Sequence, residues 1–214
     1  MFKFFVSSTF SDMQLERDTI ALKILPALRR EVNELGDDVD FRDLRWGINT
    51  KDDLTDEARA NHILEVCFRE IYECKPFIIV LLGERYGSIP NEDILENVLK
   101  RMNFCSDKNF TLDDVRGKSY TALEIEYGPF ANEETFKNTL FLIRKPSDNP
   151  RFKARSEKEK LTQENLISTV KNHPWGANVH YYQIDENDEN SVYEFIHLVK
   201  SELLKIMKPR LDLL

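Results

Sequence analysis

Phe77-Ile-Ile-Val-Leu-Leu82 is a run of apolar residues with no polar alternation. A strand with one face in water alternates, whereas a strand covered on both faces by helices is apolar throughout, so this segment belongs near the middle of a parallel sheet. Residues 2 to 6 are an aromatic and β-branched run emptying into Ser7-Ser8-Thr9, which reads as a first strand. Val39-Asp-Phe41 is a short second strand, Thr139-Leu-Phe-Leu-Ile143 a fourth and Val179-His-Tyr-Tyr-Gln-Ile184 a fifth.

Helical periodicity fills the intervals. Met13, Ile20, Ile24, Leu28, Val32 and Leu35 recur at spacings of three, four and seven, predicting an amphipathic helix over residues 12 to 35. Ser11 and Gln14 have the spacing of a capping box, Pro26 kinks or splits the helix, and Gly36 stops it. Thr55 or Asp56 caps a second helix with Ile63, Cys67, Ile71 and Cys74 on one stripe, ending near Lys75-Pro76. Residues 91 to 118 read as an insertion of mixed helix and polar loop before a helix that starts near Ser119. The Lys- and Glu-rich stretch 151 to 172 reads as a solvated helical excursion, and an amphipathic helix at about 190 to 207 closes the chain. This alternation predicts one α/β domain over residues 1 to 214 with a flavodoxin-like fold: a five-stranded parallel sheet in the order 2-1-3-4-5, with helices on both faces.

Composition excludes several functions. A formal net charge of -8 argues against non-specific nucleic-acid binding, which is driven by Lys and Arg displacing counterions from phosphates. The cysteines Cys67, Cys74 and Cys105 are odd in number and two of them share an apolar helical stripe, the pattern of core thiols in the reducing cytoplasm. The apolar start Met1 to Val6 is too short for a signal segment or a membrane span. His62, His173, His180 and His197 are scattered, with no H-E-x-x-H and no Cys pair at metal spacing, and no G-x-S-x-G elbow occurs.

Ligands of open α/β sheets bind outside the carboxyl ends of the strands at the topological switch point, here between the first and third strands. Ser7-Ser8-Thr9, Gly83-Glu84-Arg85-Tyr86-Gly87 and the loop beginning at Arg42 arrive there, carrying polar residues that strand-to-helix turns do not need for folding.

Four motifs, in order, carry a family resemblance: Phe5-Val-Ser-Ser-Thr-Phe-Ser-Asp-Met13 with Glu16-Arg17-Asp18, Asp43-Leu-Arg-Trp-Gly47, Leu81-Leu-Gly-Glu-Arg-Tyr-Gly87 and Ser119-Tyr-Thr-Ala-Leu-Glu124. In these the chain resembles the TIR-like domains of unknown function at the N-termini of STAND-type NTPases, including NACHT proteins with WD or tetratricopeptide repeats. The resemblance implies a flavodoxin-like TIR fold and an effector or adaptor role in innate immunity or antiviral defence, triggered by self-association through an attached NTPase. No G-x-x-x-x-G-K-S/T loop occurs here, so such an NTPase lies outside these residues.

Enzymatic TIR domains cleave NAD with a glutamate at the start of the helix after the third strand, often four residues behind an aromatic. Tyr120 and Glu124 reproduce that spacing, which makes Glu124 the catalytic candidate and NAD, or a related nucleotide, a substrate rather than a resident cofactor. Arg17, Arg42, Arg45 and Arg85 are candidate phosphate forks, Trp46, Tyr86 and Tyr120 candidate aromatic neighbours of the ligand, and Ser7, Ser8 and Thr9 hydroxyl donors, with Glu84 beside them. Each has a plainer reading. The arginines and Glu84 can pair across the strand ends, Asp12 with Arg17 can lock the first helix, Trp46 can lid the core, and Gly83 and Gly87 can serve tight turns. Two functions are therefore expected: an interaction module that signals by proximity, and an NAD-cleaving enzyme.

Overall fold

The computed structural model describes residues 1–44, 56–102 and 110–213, with side chains at 1–44, 62–100 and 110–213. The strands are β1 Phe2–Ser8, β2 Val39–Arg42, β3 Ile78–Leu82, β4 Thr139–Arg144 and β5 Asn178–Tyr182. They pair in parallel in the order β2-β1-β3-β4-β5, the flavodoxin-like arrangement that the run at 77–82 and the helix-strand alternation predict.

Every residue of β3 is buried, as is every residue of β4. Because side chains alternate across a strand, β1, β3 and β4 each feed two cores. Phe5, Ile78, Val80, Leu82, Phe141 and Ile143 point to one face, and Phe2, Phe4, Val6, Ile79, Leu81, Leu140 and Leu142 to the other. The first face is covered by α3 (Asp56–Cys74), α4 (Glu92–Met102), α6 (Tyr120–Tyr127) and α8 (Glu157–Lys171), the second by α1 (Gln14–Thr19), α2 (Leu25–Glu34) and α9 (Glu189–Leu211). Two short helices, α5 (Leu112–Val115) and α7 (Glu133–Lys137), complete the set. Cys67 and Cys74 are buried on the first face, as core thiols; Cys105 lies outside the described residues.

Local departures from the sequence expectation have physical causes. The helix expected over 12 to 35 divides into α1, a π-helical turn at Ile20–Ile24 and α2. Pro26 has no N–H to give and sits in the first turn of α2, where the widened turn ahead of it absorbs the break. Gly36, at φ 85°, closes α2, with the Asp37 amide donating back to the Val32 carbonyl at 3.2 Å. The Ser11–Gln14 capping box does not form: α1 starts behind Met13 with no side-chain cap, and the Ser11 hydroxyl instead accepts from Arg85 at 2.9 Å. The insertion contributes α4 and α5, and α4 carries Ile94, Leu95, Val98 and Leu99 into the core. The stretch expected as a solvated excursion supplies α8, a true β4-to-β5 crossover that buries Gln163 and Val170.

At the carboxyl end of β4, Arg144 donates through Nη1 to the Asp12 carbonyl at 2.6 Å and to Glu16 Oε1 at 2.8 Å, and through Nη2 to Asp12 Oδ2 at 2.9 Å. The Tyr182 hydroxyl donates to the same Glu16 oxygen at 3.0 Å, so one buried cation ties β4, α1 and β5 together. Asp12 thus locks α1 through Arg144, not through Arg17. A Cβ on Gly83 would lie 2.9 Å from Arg144 Nη2 and 2.7 Å from Met13 Cε, so Gly83 serves close packing at this network. Arg144→Ala leaves two acids buried without their cation and should destabilise the fold by about 3–5 kcal/mol at neutral pH. Chemical denaturation measures this, and a loss below about 1 kcal/mol would contradict a structural role for the network.

Candidate functional site

The ends of β1 and β3 and the start of α6 surround a cavity of about 390 Å³ at the switch point of the sheet. Ser8, Thr9, Ser11, Asp12, Cys67, Arg85, Tyr120, Thr121, Glu124, Arg155 and Glu159 contribute to its wall, with Phe10, Ile63, Gly87 and Ser88. Volume and location both suit a small-molecule site.

Glu124 is a buried carboxyl at the cavity wall. Ser119 caps α6, its hydroxyl accepting from the Ala122 amide at 3.2 Å, and this fixes the helix one turn ahead of Glu124. The helix meets the face of β1 that carries Phe5, and Ser7, two residues on, points the same way. Ser7 Oγ donates to Glu124 Oε2 at 2.5 Å. Burial pushes the Glu124 carboxyl up to about 7. The Ser7 hydroxyl, the Arg17 charge and the Cys67 thiol pull against the rise, and Asp43 adds to it. Burial, with the Glu124 carboxyl beside it, raises the Cys67 thiol well above its ordinary range, so this cysteine is a weak donor and not a nucleophile.

Arg17 is buried and turned inward. Its Nε donates to Ser8 Oγ at 2.6 Å, Nη2 donates to the Ser8 carbonyl at 3.2 Å and the Val6 carbonyl at 3.4 Å, and Nη1 pairs with Asp43. It braces the end of β1 against the loop after β2. Arg42 stands outside the cavity, paired with Asp40 at 3.4 Å. Glu84 points away, accepting from the Ser147 amide at 3.2 Å and facing Lys153 at 3.5 Å. Tyr86 is buried next to Ser119, and burial raises its phenol, as it does that of Tyr120 at the cavity wall. Thr9 Oγ1 donates to Asp12 Oδ1 at 2.5 Å, and Ser8 Oγ to the Thr9 carbonyl at 2.8 Å. Gly87 has φ 92°, a turn conformation only glycine adopts easily. Arg45 and Trp46 lie outside the described residues. Glu124, Ser8, Thr9, Arg85 and Tyr120 therefore share one wall, with Ser7 behind Glu124, while Arg17, Glu84 and Tyr86 support it from outside.

Among the cavity's residues that sequence reasoning did not offer as site residues are Cys67, Arg155 and Glu159. Glu159 stands three residues after Ser156, the S-x-x-E spacing of a helix start, and the Ser156 hydroxyl does cap α8, accepting from the Glu159 amide at 3.1 Å. That spacing was the available signal. Among the described residues no cluster of His, Cys, Asp and Glu could hold a metal ion, and no helix is long and apolar enough to cross a membrane.

A carboxyl raised to about 7 from 4.5 binds its proton more tightly in the folded state. Its contribution to stability is complete below about 4.5 and is lost as pH rises through about 7, leaving a penalty of about 3 kcal/mol above that. Glu124→Gln keeps the size and removes the charge, so its stability relative to the parent should grow from pH 4.5 to 8. Denaturation at a series of pH values checks this; a pH-independent difference would contradict the raised carboxyl.

The family model for the Domain of unknown function (DUF4062) matches residues 3–197. A TPR repeat-containing protein of Dictyostelium discoideum is 30% identical over 192 residues, 79% of this chain and 11% of that protein. Telomerase protein component 1 of Mus musculus is 42% identical over 88 residues, 41% of this chain and 3% of that protein, and its Rattus norvegicus counterpart is 40% identical over the same length. The chain thus spans a small fraction of the curated relatives it matches. No solved structure matches it.

Proposed function

The chain belongs to the DUF4062 family, and from that premise we propose that it is a TIR-like effector domain of a larger STAND-type protein in innate defence, which cleaves the N-glycosidic bond of NAD or a related nucleotide when copies cluster. The observation that carries this reading is Glu124 at the wall of the switch-point cavity, held at 2.5 Å by Ser7 and pushed up to about 7 by burial.

In NAD the ribose carbon is bonded to a cationic nicotinamide nitrogen. When that bond breaks, the bonding pair leaves with neutral nicotinamide and positive charge develops on the sugar. Ionised Glu124 stabilises that charge in a site where burial strengthens the attraction. Water then adds to the sugar carbon and yields its proton, which a carboxylate with a value near neutrality is suited to accept. Ser7 orients the carboxylate by holding Oε2.

The second reading is an interaction module that signals by association without chemistry. It draws support from the relatives' lengths, of which this chain covers 11% or less.

Clustered, concentrated protein should consume NAD, and Glu124→Ala should lower turnover by about a hundredfold or more. Because the ionised form does the work, turnover should rise with pH through about 7. Chromatography of released nicotinamide reads both. If NAD and other nucleotides survive intact at every pH, the catalytic reading fails and the interaction module takes its place.

A further inference from the structure

The charges around the cavity are unequally satisfied. Each of its three acids has protein donors: Asp12 has Thr9 and Arg144, Glu124 has Ser7, and Glu159 has two backbone amides. Its two arginines have no acidic partner among the described residues. Arg85 donates to the Ser11 hydroxyl at 2.9 Å and to the Arg151 carbonyl at 3.5 Å, both neutral, and the exposed Arg155 side chain has no partner among the described residues.

The two arginines come from different elements, and a single carboxylate holds them together. Glu159 Oε1 accepts from the amide of Tyr86, next to Arg85, at 3.2 Å, and Oε2 accepts from the amide of Arg155 itself at 2.5 Å. Buried Gln163 fastens the same loop one turn further on, donating to the Gly83 carbonyl at 2.9 Å. The first turn of α8 thereby sets the loop after β3 and the residue before its own cap side by side at one cavity. Glu159 spends its oxygens on backbone amides, so it holds both arginines in place without pairing with either guanidinium.

We propose that Arg85 and Arg155 form a phosphate subsite at the cavity of Glu124, so that the domain takes phosphorylated nucleotides and passes over the corresponding nucleosides. Two guanidinium forks meet the many oxygens of a phosphate or phosphoanhydride group. With the anion there, the remainder of the ligand extends along the apolar wall of Phe10, Ile63 and Tyr120 toward Glu124. The identity of that remainder rests on the catalytic reading above; the anion subsite does not.

Calorimetry with inorganic pyrophosphate tests the subsite directly. The parent should bind it, and Arg85→Ala and Arg155→Ala should each weaken binding about tenfold. No binding by the parent, or equal binding by both variants, overturns the proposal; so does a simple dicarboxylate that binds as tightly as pyrophosphate. Glu124→Gln, which holds substrate without turning it over, should bind NAD at least tenfold more tightly than nicotinamide riboside, and adding Arg85→Ala and Arg155→Ala should erase that preference. A preference that survives both substitutions also overturns it. Arginine-dependent pyrophosphate binding by a protein that hydrolyses no nucleotide would sustain the subsite and sink the catalytic reading alone.

Discussion

Burying a guanidinium is costly unless its donors are used, and Arg17 uses them on the end of β1 and the loop that follows β2. This one side chain, reaching from α1, fixes the last residues of the strand at the switch point. Ser8 turns toward it, and strand alternation sends Ser7 to the opposite face, where α6 presents Glu124. A second buried cation, Arg144, does the corresponding work between β4, α1 and β5. The carboxyl edge of the sheet is therefore an ionic layer resting on two apolar cores. Its charges are mostly settled from within, and the exceptions stand at the cavity.

The same layer leaves Glu124 at a cost to stability. Packing it beside Ser7 and Cys67 withdraws it from water, and Asp43, though paired with Arg17, still opposes its ionisation. A carboxyl placed only for stability would be solvated or would own an ion pair; this one has a hydroxyl and a thiol for company. Strain of that kind is characteristic of sites selected for what they do to a ligand.

The sheet was legible because its signals are local. The unbroken run at 77–82 can only be an interior strand, and Gly36 ends α2 where a left-handed residue is needed. The helix start near Ser119 was legible too, and with it the place of Glu124 in α6. Long-range pairings were not. Nothing next to Arg144 reveals that its partners lie 132 and 128 residues away, and its recruitment of Asp12, with Arg85 taking Ser11, cancels a capping box that local spacing favours. Arg155 and Glu159 were hidden in a charged stretch because a solvated helix and a helix whose first turn walls a cavity have the same composition. Arg17 illustrates the converse limit: an arginine near a strand end can brace or bind, and only its burial decides.

If the switch-point cavity holds a nucleotide with its sugar against residue 124 and its phosphates at the loop after β3, a crystal structure of the Glu124→Gln protein with NAD will show it. The nicotinamide ribose should then lie within hydrogen-bonding distance of the side-chain amide introduced at position 124, and the pyrophosphate between Arg85 and Arg155. Nucleotide bound at another face of the sheet, or a cavity left empty at saturating NAD, would refute that placement.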